Sequence, residues 1–207
     1  MFFSFARFIV RILAWLLNGR INVENKSALP EGTYVLVGPH RTWWDPIFFA
    51  LAASPRKFTF MAKEELFKNP ILRFILKHAN AFPVNRQNPG PSAIKTPVKA
   101  LRSKDLSLIM FPTGSRYSSE LKGGAVVIAK MARVPLVPAV YQGPLKFSDV
   151  LKRKKITIRF GEPIPVDPKL KLNDENLTMI GDQMQAAFDQ IDHDINPDFK
   201  YEIDDHK

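Results

Sequence analysis

The alternation of short apolar runs with helical patterns is the feature that most constrains the fold. Runs rich in β-branched and aromatic residues predict strands at 33–37, 58–62, 81–84, 106–111, 136–140 and 156–160. Helical patterns lie between them at about 45–53, 64–78, 92–103, 125–132 and 174–191. Pro70 interrupts the second of these and predicts a kink or two short helices. This alternation predicts an α/β fold, a single domain with a mostly parallel central sheet flanked by helices.

Several polar residues follow predicted strands directly. In parallel sheets, ligands collect beyond the carboxyl ends of the strands. His40, Arg86 and the segment after Phe111 each come just after such an end. We therefore expect them to share one edge of the sheet.

His40 and Asp45 lie five positions apart, between a predicted strand and a predicted helix. On one regular helix, residues at this spacing are turned about 140° apart and cannot meet. With His40 in the turn and Asp45 in the first helical turn, the carboxylate can reach the imidazole. That is the arrangement of a general base and the group that orients it. A simpler interpretation stays open, in which Thr42 and Asp45 form a capping box and His40 is an ordinary hydrogen-bonded histidine.

Composition narrows the possible chemistry. The chain has no cysteine, and its four histidines lack metal-ligand spacing, so disulfides are excluded and no metal site is expected. Residues 192–207 hold six acids against two lysines, a local charge of −4, which leaves +14 on the rest of a chain of net charge +10. A body this basic favours an anionic partner: a phosphate-bearing substrate, anionic lipid, an acidic carrier protein or nucleic acid.

Residues 2–17 predict an amphipathic helix, apolar except for Ser4, Arg7 and Arg11. Sixteen residues extend about 24 Å as a helix, short of a hydrocarbon core of about 30 Å. An in-plane interfacial helix is therefore expected, with both arginines toward headgroups and Trp15 at the boundary. A cleaved signal peptide and an ordinary core helix are the alternatives. The predicted organisation is a membrane-interface helix at 1–20, a main domain at 21–191 and an acidic tail at 192–207.

The segment 111–116, Phe-Pro-Thr-Gly-Ser-Arg, follows the clearest predicted strand. Its glycine permits a tight turn, its amides and hydroxyls can donate hydrogen bonds, and Arg116 can bind a phosphate with two parallel bonds. An ordinary turn with a solvated arginine is the alternative. The chain contains no phosphate-binding P-loop, dinucleotide fingerprint or nucleophile elbow.

Together these segments resemble the glycerophospholipid acyltransferase family, specifically bacterial 1-acylglycerol-3-phosphate acyltransferases. The family motif N-H-x4-D matches His40 and Asp45, with Pro39 in place of the asparagine. The motif G-x-I-F-I-D-R loosely matches residues 80–86, and F-P-E-G-T-R matches 111–116 with Thr113 for glutamate and Ser115 for threonine. The motif V-P-[IV]-V-P matches 134–138. The four motifs occur in the family's order.

The resemblance implies transfer of a fatty acyl group from acyl-carrier protein or acyl-CoA to the sn-2 hydroxyl of lysophosphatidic acid, forming phosphatidic acid. It implies His40 as general base and Asp45 as its orienter. Arg116, with Arg86 and Lys63, is implied to bind the acceptor phosphate. Thr113, Gly114 and Ser115 complete the implied substrate site, and their backbone amides are candidates for the oxyanion hole. No cofactor is implied, because the thioester donor is already activated.

The same resemblance implies a peripheral protein on the cytoplasmic face of the cell membrane, with an anionic lipid surface as partner and no nucleic acid. Thr113 lacks the charge of the family's glutamate, which leaves the acceptor open to glycerol 3-phosphate, a lysophospholipid or another lipid alcohol. A non-enzymatic basic protein that binds membranes or nucleic acid is the remaining alternative.

Overall fold

Seven strands and seven α-helices form the part of the chain that the computed structural model describes, residues 2–85, 88–114 and 121–201, with side chains from Arg7 onward. The strands are β1 Asn22–Glu24, β2 Val35–Val37, β3 Phe58–Lys63, β4 Ala81–Val84, β5 Ser107–Met110, β6 Leu136–Gln142 and β7 Thr157–Phe160. The helices are α1 Phe2–Asn18, α2 Asp45–Ala52, α3 Pro70–His78, α4 Ser92–Arg102, α5 Gly124–Ala132, α6 Phe147–Leu151 and α7 Asp174–Ile195. Three predicted site residues, Arg86, Ser115 and Arg116, lie outside the described residues.

The strands form one mixed sheet in the order β1-β7-β6-β2-β5-β3-β4. The five strands from β6 to β4 are mutually parallel, whereas β7 is antiparallel to β6 and parallel to β1. All three residues of β2 are buried, as expected for a central strand covered on both faces. The predicted α/β fold with a mostly parallel sheet is confirmed.

Helices cover both faces of the sheet, and we name the faces after one helix each. On the α2 face, Phe48 and Phe49 join a buried cluster that also includes Val150 of α6 and is flanked by Val10 and Ala14 of α1. On the α5 face, helices α4, α5 and α7 bury a second cluster. In the sheet order, the step from β2 to β3 and the step from β3 to β4 run in the same direction. Connections between parallel strands are right-handed, so the helix of the second step, α3, lies on the same face as the helix of the first, α2.

The predicted elements are present, with differences at their ends. Residues 64–78 form two pieces, a 3₁₀ turn at Glu64–Phe67 and then α3, whose start is capped by the Asn69 side chain. The sequence did not predict β1 or α6, which have three and five residues. Helix α7 continues four residues beyond its predicted end at 191, so the predicted acidic tail begins inside a helix.

Helix α1 forms where the sequence predicts it, but Arg7 is arranged differently from the prediction, whereas Arg11 is exposed as predicted. Arg7 does not face headgroups; its guanidinium donates to the carbonyls of Pro55 and Arg56 at 2.8 and 3.0 Å. Asn18, on the same polar stripe, is buried. Arg7 and Asn18 face the domain, because backbone carbonyls beyond the end of α2 offer acceptors to the Arg7 guanidinium.

The apolar side of α1 is consequently turned outward. The exposed large side chains on it are Phe8, Ile9, Ile12, Leu13, Trp15, Leu16 and Leu17. An ordinary core helix would bury these side chains, so that alternative is wrong. Among the described residues, no helix combines the length and the apolar character needed to span a membrane.

Gly38 generates a prediction about stability, because backbone and ring atoms approach it too closely for a side chain. A Cβ there would lie 2.5 Å from the Ala139 carbonyl oxygen and 3.0 Å from the Phe49 ring. Gly38→Ala is expected to lower the free energy of unfolding by about 1–3 kcal/mol through overpacking. The matched control is Gly181→Ala in α7, where nothing lies within 4 Å of the added methyl group.

The control is expected to raise stability by about 0.5–1 kcal/mol, because alanine is the better helix former. Urea unfolding of both variants measures the difference. Equal effects of the two substitutions would show that the close approach at Gly38 is not a constraint.

Candidate functional site

The carboxyl ends of the parallel strands form the edge where the predicted site residues meet. His40 follows β2, Lys63 ends β3, and Thr113 and Gly114 lie in the loop after β5. Strands β2, β5 and β3 are consecutive in the sheet, so these three loops are neighbours. The structure thus brings together all the predicted residues that it describes, at the edge where α/β proteins bind ligands.

The Asp45 carboxylate is the centre of the loop after β2. It is completely buried and accepts a hydrogen bond from His40 Nδ1 at 3.1 Å. The backbone amides of Arg41 and Thr42 donate to the same oxygen at 2.6 and 2.7 Å. The Thr42 hydroxyl donates to the other oxygen. Four donors converge on one carboxylate, an arrangement suited to its ionised form.

The loop combines the two interpretations that the sequence left open. Thr42 and Asp45 do interact, but the carboxylate accepts from the Thr42 amide and hydroxyl, and helix α2 begins at Asp45 itself. The same carboxylate also holds the imidazole. Because an ionised carboxylate only accepts hydrogen bonds, Nδ1 carries the proton and Nε2 has a free lone pair.

The His40 ring is fixed from a second direction by Phe111. The two rings are stacked, with centroids 4.1 Å apart and planes 19° apart. Phe111 in turn lies 6.0 Å from the Phe49 ring of α2. Asp45 and Phe111 together hold the ring in place. The His40 side chain keeps 12% of its surface exposed, so it remains open to a ligand. A stacked, oriented imidazole at a strand end can remove a proton from a bound hydroxyl.

The turn after β5 is tight and its amides are only partly available. Gly114 has φ 71°, and its amide donates to the Phe111 carbonyl at 2.9 Å. This amide is therefore used within the turn, which leaves it a poorer oxyanion-hole candidate than the sequence suggested. Thr113 is buried beside it.

Lys122 is a basic residue near this turn that the sequence analysis did not single out. Its ammonium lies 3.8 Å from the point where a Cβ on Gly114 would be. The Lys122 amide also donates to the Pro112 carbonyl at 3.0 Å, which closes the loop. The one signal in the sequence that could have identified Lys122 is its position between the predicted phosphate-binding segment 111–116 and the next predicted helix.

Lys63 lies at the same edge, at the end of β3. Its ammonium is 3.4 Å from a Glu65 carboxylate oxygen, and both side chains are about half exposed. Phe60 pairs with Ile109 of β5, so Lys63, three residues further on, is level with the turn after Phe111. An exposed pair of this kind is weak, and Lys63 can exchange Glu65 for an anionic ligand.

Arg41, next to His40, connects the loop to helix α7. Its guanidinium binds the Asp192 carboxylate with two parallel bonds, one of them 2.9 Å long, and donates to the Tyr141 carbonyl at 2.7 Å. Gln142 donates to Asp192 as well, at 2.9 Å. No local pattern in the sequence indicates this pair, because its members lie 151 positions apart.

Trp44 and Tyr141 support the other side of the loop. The Trp44 indole donates to the Tyr141 hydroxyl at 3.2 Å, and that hydroxyl donates to the Pro144 carbonyl at 2.8 Å. Burial raises the pKa of Tyr141, so its hydroxyl stays protonated and keeps this donor. In the residues that the structure describes, no three His, Asp or Glu side chains come close enough to share a metal ion.

Comparison with known proteins identifies relatives that cover most of the chain. Residues 20–142 match the family described as Acyltransferase. The chain is 42% identical to a 1-acyl-sn-glycerol-3-phosphate acyltransferase of Streptococcus pneumoniae over 196 residues, 94% of this chain and 74% of the relative. It is 44% identical to the Bacillus subtilis protein of the same name over 151 residues, 72% of this chain and 75% of the relative.

A solved structure shares the fold. It is the 1-acyl-sn-glycerophosphate (LPA) acyltransferase PlsC from Thermotoga maritima, with a TM-score of 0.71, 18% identity, and coverage of 96% of this chain and 81% of that one. The segment matched by the family contains every predicted site residue. Helices α1 and α7, with Asp192, lie outside it.

Proposed function

The chain belongs to the acyltransferase family, and we propose that it uses His40 and Asp45 to acylate the sn-2 hydroxyl of 1-acylglycerol 3-phosphate, which forms phosphatidic acid. The relatives in Streptococcus pneumoniae and Bacillus subtilis carry the name of this activity, and the enzyme is a 1-acyl-sn-glycerol-3-phosphate acyltransferase. The observation that carries the assignment of roles is the bond between His40 Nδ1 and the buried Asp45 carboxylate.

His40 acts as general base through Nε2. The acceptor hydroxyl is a weak nucleophile at neutral pH, and it gains reactivity as the imidazole removes its proton during attack on the thioester carbonyl. Asp45 holds the tautomer in which Nε2 is unprotonated, and it stabilises the imidazolium that forms. When the tetrahedral intermediate collapses, the carbonyl re-forms, the thiolate leaves, and the proton held by His40 is available to it.

The acceptor phosphate binds to the basic groups at the same edge. Lys63 ends the strand next to β5, Lys122 lies beside Gly114 in the turn after β5, and Arg86 and Arg116 complete the proposed set. Positive charge here attracts a phosphate and fixes the glycerol so that its hydroxyl faces His40. Because Thr113 replaces the family's glutamate, glycerol 3-phosphate and lysophospholipids are the alternative acceptors to compare with 1-acylglycerol 3-phosphate.

The donor is the thioester of acyl-carrier protein or of coenzyme A. Residues 1–191 carry a net charge of +14, which favours both donors, because acyl-carrier protein is acidic and coenzyme A carries phosphates. An activated thioester requires no cofactor for the transfer. We place the enzyme on the cytoplasmic face of the cell membrane, held there peripherally by the outward apolar side of α1, because its acceptor is a lipid and its donors are soluble.

Removal of the proposed base tests the mechanism. His40→Ala is expected to lower kcat by about 10²–10⁴-fold, the usual contribution of a general base, with an unchanged circular dichroism spectrum. His193→Ala, at an exposed position of α7, is the matched control and should keep full activity. Radiolabelled acyl transfer to 1-acylglycerol 3-phosphate measures both. A His40→Ala enzyme with normal kcat would refute the assignment.

Removal of one phosphate-site cation tests the acceptor site. Lys63→Ala is expected to raise KM for 1-acylglycerol 3-phosphate about threefold to fivefold and to leave KM for the thioester unchanged, because the proposed ligand of this exposed ammonium is the acceptor phosphate and not the donor. Lys57→Ala, an exposed lysine just before the other end of β3, is the control. Equal KM values for 1-acylglycerol 3-phosphate in the Lys63→Ala and Lys57→Ala variants would show that Lys63 does not bind the acceptor.

A further inference from the structure

The exposed large apolar side chains of the described residues are concentrated on the α2 face of the sheet. Apart from α1, that face carries the exposed side chains Trp43, Ile47, Leu66, Ile71, Leu72, Phe74, Ile75, Leu145, Phe147 and Leu151. The opposite side has Met131 on α5, Met179 on α7 and Leu172 just before α7. Water-soluble surfaces rarely collect apolar side chains on one side, and such a surface indicates an interaction site.

Helix α3 is the most exposed element of this face. None of its nine residues is buried. Ile71, Phe74 and Ile75 are 70%, 56% and 51% exposed, and their spacing of three and four places them on one side of the helix. Packing within the domain therefore does not explain why these positions are apolar.

The charge of α3 indicates what covers it. Arg73 and Lys77 lie four residues apart on the side of the helix away from the apolar stripe, and the helix contains no acid. The two glutamates of the preceding turn have partners of their own, since Glu64 accepts from Asn85 and Glu65 pairs with Lys63. An amphipathic helix with an apolar stripe and long cationic side chains on its polar side complements an anionic lipid surface.

We propose that α3 is a second lipid-contacting element, which inserts Ile71, Phe74 and Ile75 into an anionic bilayer surface while Arg73 and Lys77 bind headgroups. This proposal rests on the proposed function in one respect, namely that the acceptor is a membrane lipid. Helix α3 contacts β4 at one edge of the sheet, whereas α1 contacts α6 near β7, toward the other. The His40 loop follows β2, which lies between them.

Two separated contacts fix the orientation of the enzyme, which one helix cannot do. With α1 alone on the bilayer, the domain is free to rotate about the axis of that helix. A second contact at α3 removes this rotation and keeps the α2 face, including the exposed Trp43 beside the His40 loop, against the lipid. The acceptor then reaches His40 without carrying its acyl tail through water.

The experiment compares two double variants of the full chain that add the same charge. Ile71→Glu/Phe74→Glu places two acids on α3, and Met131→Glu/Met179→Glu places two acids on the opposite side. Binding to vesicles of phosphatidylglycerol and phosphatidylethanolamine is measured by co-sedimentation. The α3 variant is expected to bind on the order of a hundredfold more weakly, from the lost burial of two apolar side chains, and the control as tightly as the parent.

Further measurements separate the possible outcomes. Acyl transfer to a short-chain, water-soluble lysophosphatidic acid should be unchanged in the α3 variant, because its catalytic site is intact. If the parent protein itself lacks this activity, the proposed function is refuted instead of the role of α3. Equal vesicle binding by both variants, or equal weakening, would overturn the role of α3. So would a parent dimer, seen by light scattering, that only the α3 variant dissociates, because the surface would then bind a second copy.

The ion pair between Arg41 and Asp192 independently supports a second inference. Arg41 contributes its backbone amide to the Asp45 carboxylate, and its side chain is 7% exposed and bound by α7. The C-terminal segment also reaches the loop, since the Arg41 guanidinium lies 5.3 Å from the Phe199 ring and the Tyr201 hydroxyl approaches the His40 carbonyl at 3.5 Å. A shift of Arg41 therefore moves a donor of the catalytic carboxylate.

We infer that Asp192 is a positioning residue, which holds the His40 loop in its catalytic geometry through Arg41. Asp192→Asn is expected to lower kcat roughly 10- to 100-fold without raising KM for either substrate, because small displacements of catalytic groups cost this much in rate. Asp194→Asn is the matched control, since that carboxylate is on the same helix and pairs with Arg159 on β7, away from the loop.

A purely structural pair would give a different result. All assays are made well below the unfolding temperature of each variant, and Asp192→Glu is expected to restore part of kcat because it keeps the charge. Arg41→Lys, which keeps the charge but not the two parallel bonds, should lower kcat as well and serves if Asp192→Asn does not fold. If Asp192→Asn or Arg41→Lys only lowers the unfolding temperature and keeps normal kcat, the inference is wrong.

Discussion

The structure of the site depends on one buried carboxylate and the four donors that surround it. Asp45 has no exposed surface, and a buried ionised group is tolerated only where its hydrogen bonds are complete. Two donors are backbone amides, so the carboxylate determines the path of the chain from Arg41 to Thr42. A third donor is His40 Nδ1, so the same group determines the tautomer of the imidazole. The requirement to satisfy a buried charge thus builds the loop and prepares the base together.

The rest of the fold holds this loop in place from several sides. Gly38 allows β2 to continue into the loop against the Ala139 carbonyl, and Phe111 stacks on the imidazole from the neighbouring loop. Helix α7, outside the segment matched by the family, reaches Arg41 through Asp192. The motifs supply the reacting groups, and long-range contacts supply their rigidity.

The sequence predicted the features that depend on local periodicity and on parallel-sheet geometry. The alternation of patterns predicted the mostly parallel sheet, and that topology placed His40 and the turn after Phe111 at one edge. Arg86, predicted at the same edge, lies outside the described residues. Elements of three and five residues, β1 and α6, carry too little periodicity to be recognised. The Arg41–Asp192 pair leaves no local pattern. The predicted direction of Arg7 was wrong for a related reason: the polar stripe was visible, but the carbonyls that bind Arg7 come from residues 55 and 56.

The protonation of His40 is the most direct test of the central claim. Nitrogen-15 chemical shifts of the histidine rings, assigned by comparison with His40→Ala, distinguish the two neutral tautomers. If the Asp45 carboxylate orients the base, the neutral imidazole carries its proton on Nδ1, and the Nε2 resonance has the shift of an unprotonated nitrogen. A neutral His40 with its proton on Nε2 would contradict this account, because such a ring has no lone pair facing the acceptor hydroxyl.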